Sequence, residues 1–357
     1  MRPLRLFMAN VTKRIRQSPQ VVPPMGVMCL AAYLRTKFNL DIRLFNLRLE
    51  RRSMDELADQ VIAFQPDIAG FGSLTASAYL LGPLTSKIRA ACPETLIALG
   101  GPAVMAKGGA LLEETAADVA IGGEGELAFE AVIREWFEGD RRLENIPGLC
   151  WRADDGALLQ NEGAPPVLND LDTLPFPAYD LIDLHAYWKQ IPFGVVPYRK
   201  YVSILTSRGC PYPCTYCQRA LGNTFRAQSA ERVVDEIEDH VRRYGVDTVE
   251  VLDDIFNYDE RRVFEFQKLL AQRNLKIHLT FPNGVRGDLL TEAVIDALIA
   301  AGMDHLTVAL ESASPRIQEL VGKRLDIDRF LRNATYAAKK NTLTQCYSII
   351  GFPSETE

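Results

Sequence analysis

The sequence predicts an α/β protein with two successive arrays: an N-terminal doubly wound, Rossmann-like sheet and a partial (β/α) barrel of the TIM type. Short apolar runs alternate with helical segments over about the first 140 residues, and the alternation resumes with a longer period after residue 200. Apolar runs of this kind are typical of parallel strands that helices cover. Since 357 residues exceed one ordinary core, we expect domains at 1–140 and 201–357, joined by a linker at 141–200.

The first array is predicted to contain five strand–helix units. Ser53 is placed to cap a helix, and Glu56 three residues later completes a capping box. Apolar runs predict strands at 4–8, 41–45, 68–71, 96–99 and 119–121, and helical spacing predicts helices at 26–38, 54–64, 76–91 and 126–138.

The linker breaks this rhythm. Residues 151–160, around Asp154-Asp155-Gly156, are typical of a small hairpin. Several prolines follow, among them Pro192 and Pro197, and the nearby aromatic residues indicate that the segment packs along the domains.

The second array is predicted to be a barrel wall with catalytic groups at the carboxyl ends of its strands. Because a wall that stops after five strands leaves an open side, we expect a fragment of a longer protein or a chain that needs a partner. Strands are predicted at 202–206, 246–252, 277–281, 305–310 and 344–350, and helices at 230–244, 260–273, 292–301 and 327–340.

Composition excludes several classes of protein. A net charge of −6 gives no reason to expect a nucleic-acid-binding surface. The sequence has no run of 18 apolar residues, as a membrane span would need, and no signal-peptide pattern. We therefore expect a cytoplasmic protein whose seven cysteines are reduced. Four scattered cysteines are predicted to be small buried side chains: Cys29, Cys92, Cys150 and Cys346.

The other three cysteines, Cys210, Cys214 and Cys217, lie within eight residues after the first strand of the second array. Structural zinc takes four ligands, yet no fourth Cys or His is near: His240 is predicted on an exposed helix face and His185 lies in the linker. A [4Fe-4S] cluster on three thiolates leaves one iron open to substrate or cofactor. We therefore predict a catalytic iron–sulfur cluster.

This CxxxCxxC segment resembles the signature of the radical S-adenosylmethionine (SAM) enzymes. The resemblance implies that the open iron chelates the amino and carboxylate groups of SAM and that reductive cleavage gives a 5′-deoxyadenosyl radical. It also implies that Tyr216 packs on the adenine. The remaining residues implied to line the SAM site end successive strands: Asp253, Asp254, Asn283, Arg286, Glu311, Ser312 and Gly351.

Glycines recur at the carboxyl ends of the first array's strands, where doubly wound sheets bind ligands. No GxGxxG or GxxxxGK[ST] motif is present, which disfavours nicotinamide and P-loop nucleotide sites. A five-unit β/α domain before a radical SAM barrel resembles the cobalamin-dependent subclass, with the corrin across this edge. The residues implied to contact cobalamin are Pro24, Gly26, Ser73, Leu74, Thr75, Gly100, Gly101, Pro102, Gly123, Glu124, Gly125 and Glu126.

One departure concerns cobalt. No histidine precedes His185, so the Asp-x-His-x-x-Gly motif that ligates cobalt elsewhere is missing. If cobalamin binds, we expect the lower face of cobalt to carry something other than a local imidazole, such as water, or no ligand. The resemblance implies radical methylation: one SAM methylates cobalt and a second makes the radical. The substrate would be a small or lipid-like molecule, and the electron donor a flavodoxin or ferredoxin type.

Three alternatives stay open: a radical cyclase or rearrangement enzyme, a methylthiotransferase, and a non-catalytic cobalamin or iron–sulfur binding module. Methylthiotransferases carry a second cluster on three N-terminal cysteines, whereas only Cys29 and Cys92 precede the linker here.

Overall fold

A computed structural model describes residues 2–16, 18–194 and 200–356. The chain forms two compact units, Met1–Asn169 with Thr173–Gln190, and Asp170–Asp172 with Ile191–Glu357. These bounds differ from the predicted ones, because most of the expected linker belongs to the first unit. Pro197, which we placed in the linker, lies outside the described residues.

The first unit is built on a seven-stranded sheet in the order β2-β1-β3-β4-β5-β6-β7. Its first five strands are parallel, and the order 2-1-3-4-5 is that of a doubly wound sheet, as predicted. The strands are β1 (Leu4–Asn10), β2 (Leu40–Asn46), β3 (Ile68–Gly72), β4 (Leu96–Gly100), β5 (Val119–Ala120), β6 (Cys150–Arg152) and β7 (Leu158–Gln160). The helices are α1 (Met25–Leu34), α2 (Leu47–Glu50), α3 (Met54–Phe64), α4 (Leu81–Ala91), α5 (Pro102–Lys107), α6 (Ala110–Glu113), α7 (Glu126–Phe137) and α8 (Leu184–Trp188).

Local sequence explains where these helices begin. The predicted capping box is present, with Ser53 and Glu56 each bonding the other's backbone N–H. The predicted helix at 76–91 is instead a 3₁₀ turn at Thr75–Leu80 followed by α4. Pro83 gives the reason, since its ring clashes with the carbonyl four residues earlier and prevents one continuous helix.

The predicted hairpin extends the first sheet. Strands β6 and β7 pair antiparallel with each other, and β6 pairs antiparallel with β5. The hairpin therefore occupies the edge beyond β5.

The second unit has a five-stranded, wholly parallel sheet in the order β14-β13-β12-β11-β8. Each strand lies beside the next one along the chain, as in the wall of a barrel, so the predicted partial barrel is confirmed. The strands are β8 (Tyr201–Ile204), β11 (Thr248–Val251), β12 (His278–Thr280), β13 (Met303–Glu311) and β14 (Leu343–Ser348), with a two-stranded ladder of β9 (Ser207–Arg208) and β10 (Arg226–Ala227). The helices are α9 (Ala230–Tyr244), α10 (Glu260–Gln272), α11 (Glu292–Ala300), α12 (Pro315–Leu320) and α13 (Ile327–Lys339).

The expected burial of three residues differs from the observed one. His240 is buried and not exposed, because it continues the apolar stripe of Val233 and Ile237 on α9. Cys346 is exposed on the edge strand β14, and Cys29 is only partly buried, whereas Cys92 and Cys150 are buried as expected. Within the ranges that the structure describes, no helix is long and apolar enough to cross a membrane.

Candidate functional site

The three cysteines lie on one loop whose base is closed by the β9–β10 ladder. Gly209 begins the loop at φ +80°, and a Cβ there would collide with the carbonyl oxygen of Thr224. Only glycine therefore fits this position without distortion. The N–H of Cys210 donates to the carbonyl of Gly222 across the loop (3.2 Å).

Asp253 holds the start of this loop. Its buried carboxylate accepts hydrogen bonds from the backbone N–H of Thr206 (2.6 Å), the Thr206 hydroxyl (2.5 Å) and the Ser207 hydroxyl (2.6 Å). Burial raises the pKa of Asp253, and the positive charge of Arg262 opposes that shift. Arg262 also donates to the carbonyls of Thr206 and Gln228 (2.9 and 2.8 Å). The carboxylate that the resemblance placed on SAM is thus occupied within the protein.

Arg286 is similarly occupied. Its guanidinium lies 3.6 Å from the centre of the Tyr212 ring, between Cys210 and Cys214, and pairs with Asp288 (2.8 Å). It also donates to the carbonyl of Lys323 (2.9 Å). These contacts hold the middle of the cysteine loop by cation–π and ionic attraction.

Tyr216 and Glu311 lie together at the third cysteine. The Tyr216 ring is 36% exposed and 5.8 Å from the ring of Phe352. Burial raises the pKa of Tyr216, and the charge of Glu311 adds to the shift. Glu311 has a left-handed backbone (φ +66°) and accepts from the ammonium of Lys323 (3.2 Å).

The other expected SAM residues lie at the same strand edge. Asp254 is exposed. Asn283 donates to the carbonyl of Leu252 (2.7 Å). The hydroxyl of Ser312 accepts from the N–H of Ser314 (3.2 Å), and Gly351 (φ +93°) has open space where a Cβ would stand.

The thiols fit a cluster better than a single ion. The N–H of Cys217 donates to the carbonyl of Cys214 (3.2 Å), so the second and third cysteines lie on one tight turn. Among the described residues, no three Cys, His, Asp or Glu side chains surround one point as ligands of a lone ion would. In a [4Fe-4S] cube each thiolate ligates a different iron, so convergence on one point is not required.

The ligand edge of the first unit is made of two loops packed together. The carbonyl of Ser73 accepts from the N–H of Ala103 (2.9 Å), and the hydroxyl of Ser73 donates to the carbonyl of Val11 (2.8 Å). The hydroxyl of Ser73, which we expected to contact cobalamin, is therefore engaged within the protein. Leu74 and Thr75 are exposed beside it, with the Thr75 hydroxyl 3.4 Å from the carbonyl of Pro102.

Open space along this edge fits a bulky ligand. A Cβ would meet nothing within 4 Å at Gly26, Gly72 or Gly123, and only one atom at 3.9 Å at Gly100. Other residues expected to contact cobalamin have a structural role. Pro24, Glu124 and Glu126 are buried. The Cβ position of Gly125 is 3.3 Å from Leu30, and Gly101 has φ +79° and packs against the backbone of Ser73.

Comparison with known proteins identifies both units. Residues 12–133 match the B12 binding domain model, and residues 204–357 match the Radical SAM superfamily model. An uncharacterized methyltransferase of Pyrococcus horikoshii is 31% identical over 94% of this chain and 70% of its own length. The chain belongs to the cobalamin-dependent radical SAM enzymes.

Two further similarities place this radical SAM chain among its relatives. The anaerobic magnesium-protoporphyrin IX monomethyl ester cyclase of Rubrivivax gelatinosus is 26% identical over 94% of this chain and 60% of its own. The fold matches the cobalamin-dependent SAM radical enzyme OxsB with a TM-score of 0.80 at 18% identity, over 98% of this chain and 49% of OxsB.

The cofactors of this family are a [4Fe-4S] cluster, SAM and cobalamin, as the sequence predicted. Three side chains near the cysteines escaped prediction: Arg262, Gln318 and Lys323 are all buried. No sequence pattern marks a single Arg or Lys, such as Arg262 on α10 or Lys323 after α12, as buried. For Gln318 a signal exists, because Ser314-Pro315 is a typical helix start and would have predicted α12.

Proposed function

We propose that this enzyme methylates an unactivated carbon of a small or lipid-like molecule by radical chemistry. The observation that carries the proposal is the loop with three thiols, in one chain with a glycine-edged cobalamin domain. The similarity to a methyltransferase over 94% of the chain supports the same reaction.

The bound cofactors would supply reductive cleavage of SAM to a 5′-deoxyadenosyl radical and a cobalt centre that carries the methyl group. The protein's own residues have two tasks at the cluster. Asp253, Arg262 and Arg286 hold the cysteine loop from within. Asp254 and Glu311 offer carboxylates to the ammonium and ribose hydroxyls of SAM, and Tyr216 offers an aromatic face to adenine.

In the first unit, we expect cobalamin to contact mainly the backbone. The open positions at Gly26, Gly72, Gly100 and Gly123 let a corrin approach the strand ends closely. Because no histidine occurs before His185, the loops at the ends of β1 to β5 offer cobalt no imidazole, which favours a lower face with water or no ligand.

Reduction of the cluster requires an external electron. We propose a flavodoxin- or ferredoxin-type donor, since both deliver single electrons at low potential.

The test is anaerobic reconstitution with iron, sulfide and hydroxocobalamin, followed by dithionite and SAM. Donation of its methyl group leaves S-adenosylhomocysteine from SAM, whereas radical cleavage leaves 5′-deoxyadenosine. A methylase is expected to give both products, which mass spectrometry separates. If a fully reconstituted protein formed neither, the enzyme proposal would fail in favour of a binding module.

A cyclase is the second candidate, because the relative from Rubrivivax gelatinosus is named as one. In the same assay a cyclase would give 5′-deoxyadenosine without S-adenosylhomocysteine, so one experiment separates the two reactions.

A further inference from the structure

Residues 318–325, which we name the clamp segment, begin in the last turn of α12 and pack against the cysteine loop. The N–H of Thr215 donates to the carbonyl of Val321 (2.9 Å). Gly322 has φ +69°, and a Cβ there would stand 2.8 Å from the carbonyl oxygen of Pro213. The clamp segment therefore contacts the loop on the residues that flank Cys214.

Gln318 fixes the clamp segment to the end of β13. Its buried side-chain amide donates to the carbonyls of Leu310 (2.8 Å) and Ser312 (2.6 Å), and its oxygen accepts from the N–H of Leu325 (3.2 Å). The side chain of Gln318 therefore links the two ends of the clamp segment to each other and to the end of β13.

Lys323 is the one lysine of the clamp segment, and its side chain is buried. It is only 6% exposed, its Nζ lies 3.2 Å from Glu311 Oε1, and its carbonyl accepts from Arg286, which covers the Tyr212 ring. Burying an ammonium is costly even when it is paired. A cation retained in this position therefore calls for an explanation beyond packing.

Charge at this place acts on the thiolates. Lys323 directly follows Gly322, whose Cβ position lies 2.8 Å from the carbonyl oxygen of Pro213. The residue therefore lies beside the loop that carries Cys214. A cluster becomes more negative by one charge when it is reduced, so a nearby buried cation stabilises the reduced form.

We propose that Lys323 is a positioning residue for the cluster, whose buried ammonium beside Glu311 raises the cluster's reduction potential and so makes the first electron transfer easier. The inference deepens the proposed function and rests on it for the role of that electron. It concerns the cluster alone, and it is tested without substrate or SAM.

The experiment is a redox titration of the reconstituted full chain, followed by electron paramagnetic resonance of the reduced cluster. In Lys323→Met the potential is expected to fall by at least 59 mV, which is a tenfold change in the one-electron equilibrium. Lys323→Arg keeps the charge and should stay near the parent value. Glu311→Gln removes the counter-charge and should shift the potential upward.

The matched control is Lys340→Met, which makes the same change in net charge. Lys340 pairs with Asp296 on the surface (3.0 Å) and follows α13, at the strand edge opposite the cysteines by the topology of a β/α array. No shift is expected there.

Several outcomes would overturn the proposal. The first is an unchanged potential in a Lys323→Met protein with full iron and sulfide content. The second is an equal shift in Lys340→Met. The third is a downward shift in Glu311→Gln, which would indicate that the substitution only loosens the cluster site. If Lys323→Met does not hold a cluster, the other two variants decide. A parent-like potential in Lys323→Arg together with a raised potential in Glu311→Gln supports the proposal, and any other pair of results contradicts it. Product formation enters none of these readouts, so failure here is distinct from failure of the methylation proposal.

Discussion

The ligand edges of the two units are built in opposite ways. At the first edge, glycines leave open space where side chains would be, as at Gly72 and Gly123. At the second, charged side chains are already paired with one another, as are Arg286 with Asp288 and Lys323 with Glu311. A large flat ligand needs room along a backbone, whereas a small cluster needs thiolates held in place before it forms.

The contrast also exists within the second edge, between two adjacent carboxylates. Asp253 is buried and accepts three hydrogen bonds from Thr206 and Ser207, while Asp254 is exposed. Residues that build a site and residues that meet the ligand can therefore be sequence neighbours. Four predictions test these comparisons, from the largest expected effect to the smallest.

Cys214→Ala should abolish both the visible absorption of the cluster and SAM cleavage, because one iron loses its only protein ligand. Cobalamin should still be retained after desalting, since its site belongs to the other unit. Absorption spectra before and after desalting measure both. Parallel loss of corrin would show that the two edges are not independent.

Asp253→Asn should lower the free energy of unfolding by about 3 kcal/mol, because an amide cannot accept all three hydrogen bonds and buries an unmatched donor. The matched variant Asp254→Asn should change it by less than about 0.5 kcal/mol and weaken SAM binding instead. Urea unfolding and a SAM-binding titration separate the two effects. Equal destabilisation by both would contradict the division between building and binding carboxylates.

Gly72→Leu should lower cobalamin affinity at least tenfold, about 1.4 kcal/mol, since its side chain would fill space left for the ligand. Nothing within 4 Å meets a Cβ at this position, so stability should be nearly unchanged. Corrin retention and thermal unfolding give the two values. Unchanged retention would mean that the corrin does not reach this part of the edge.

Ser53→Ala should cost about 1 kcal/mol through loss of the capping box of α3. Because α3 contributes no residue to either edge, cluster content and corrin retention should equal those of the parent protein. Urea unfolding measures the loss. A change in either cofactor would indicate that stability and binding are coupled in the first unit.

The fold was largely predictable because apolar periodicity and local signals agree. The predicted bounds of α3 and α9 match the observed ones at both ends, since Ser53 and Ser229 cap them. Where the prediction differs, a local cause is visible, as with Pro83 at the start of α4. His240 was misplaced because its polarity outweighed its position on the apolar stripe of α9.

The sequence predicted that the three cysteines share one loop, but it did not predict which side chains pack against that loop. Spacing alone placed Cys210, Cys214 and Cys217 on one loop. The contacts of Asp253 with Thr206 and of Arg286 with Lys323 join residues more than 30 positions apart, which no local pattern encodes. For the same reason Lys323 gave no signal, because its burial results from the packing of the clamp segment against a loop about a hundred residues earlier.

The β6–β7 hairpin has a practical consequence for anyone dividing this chain into pieces. An excised first unit ending near residue 140 would lose the strand that pairs with β5. The backbone N–H and C=O groups of Val119 and Ala120 would then be exposed as a template for another molecule's strand. A fragment that ends after Gln190 keeps β6 and α8 with the first unit. In gel filtration we expect it to associate less than a fragment that ends near residue 140.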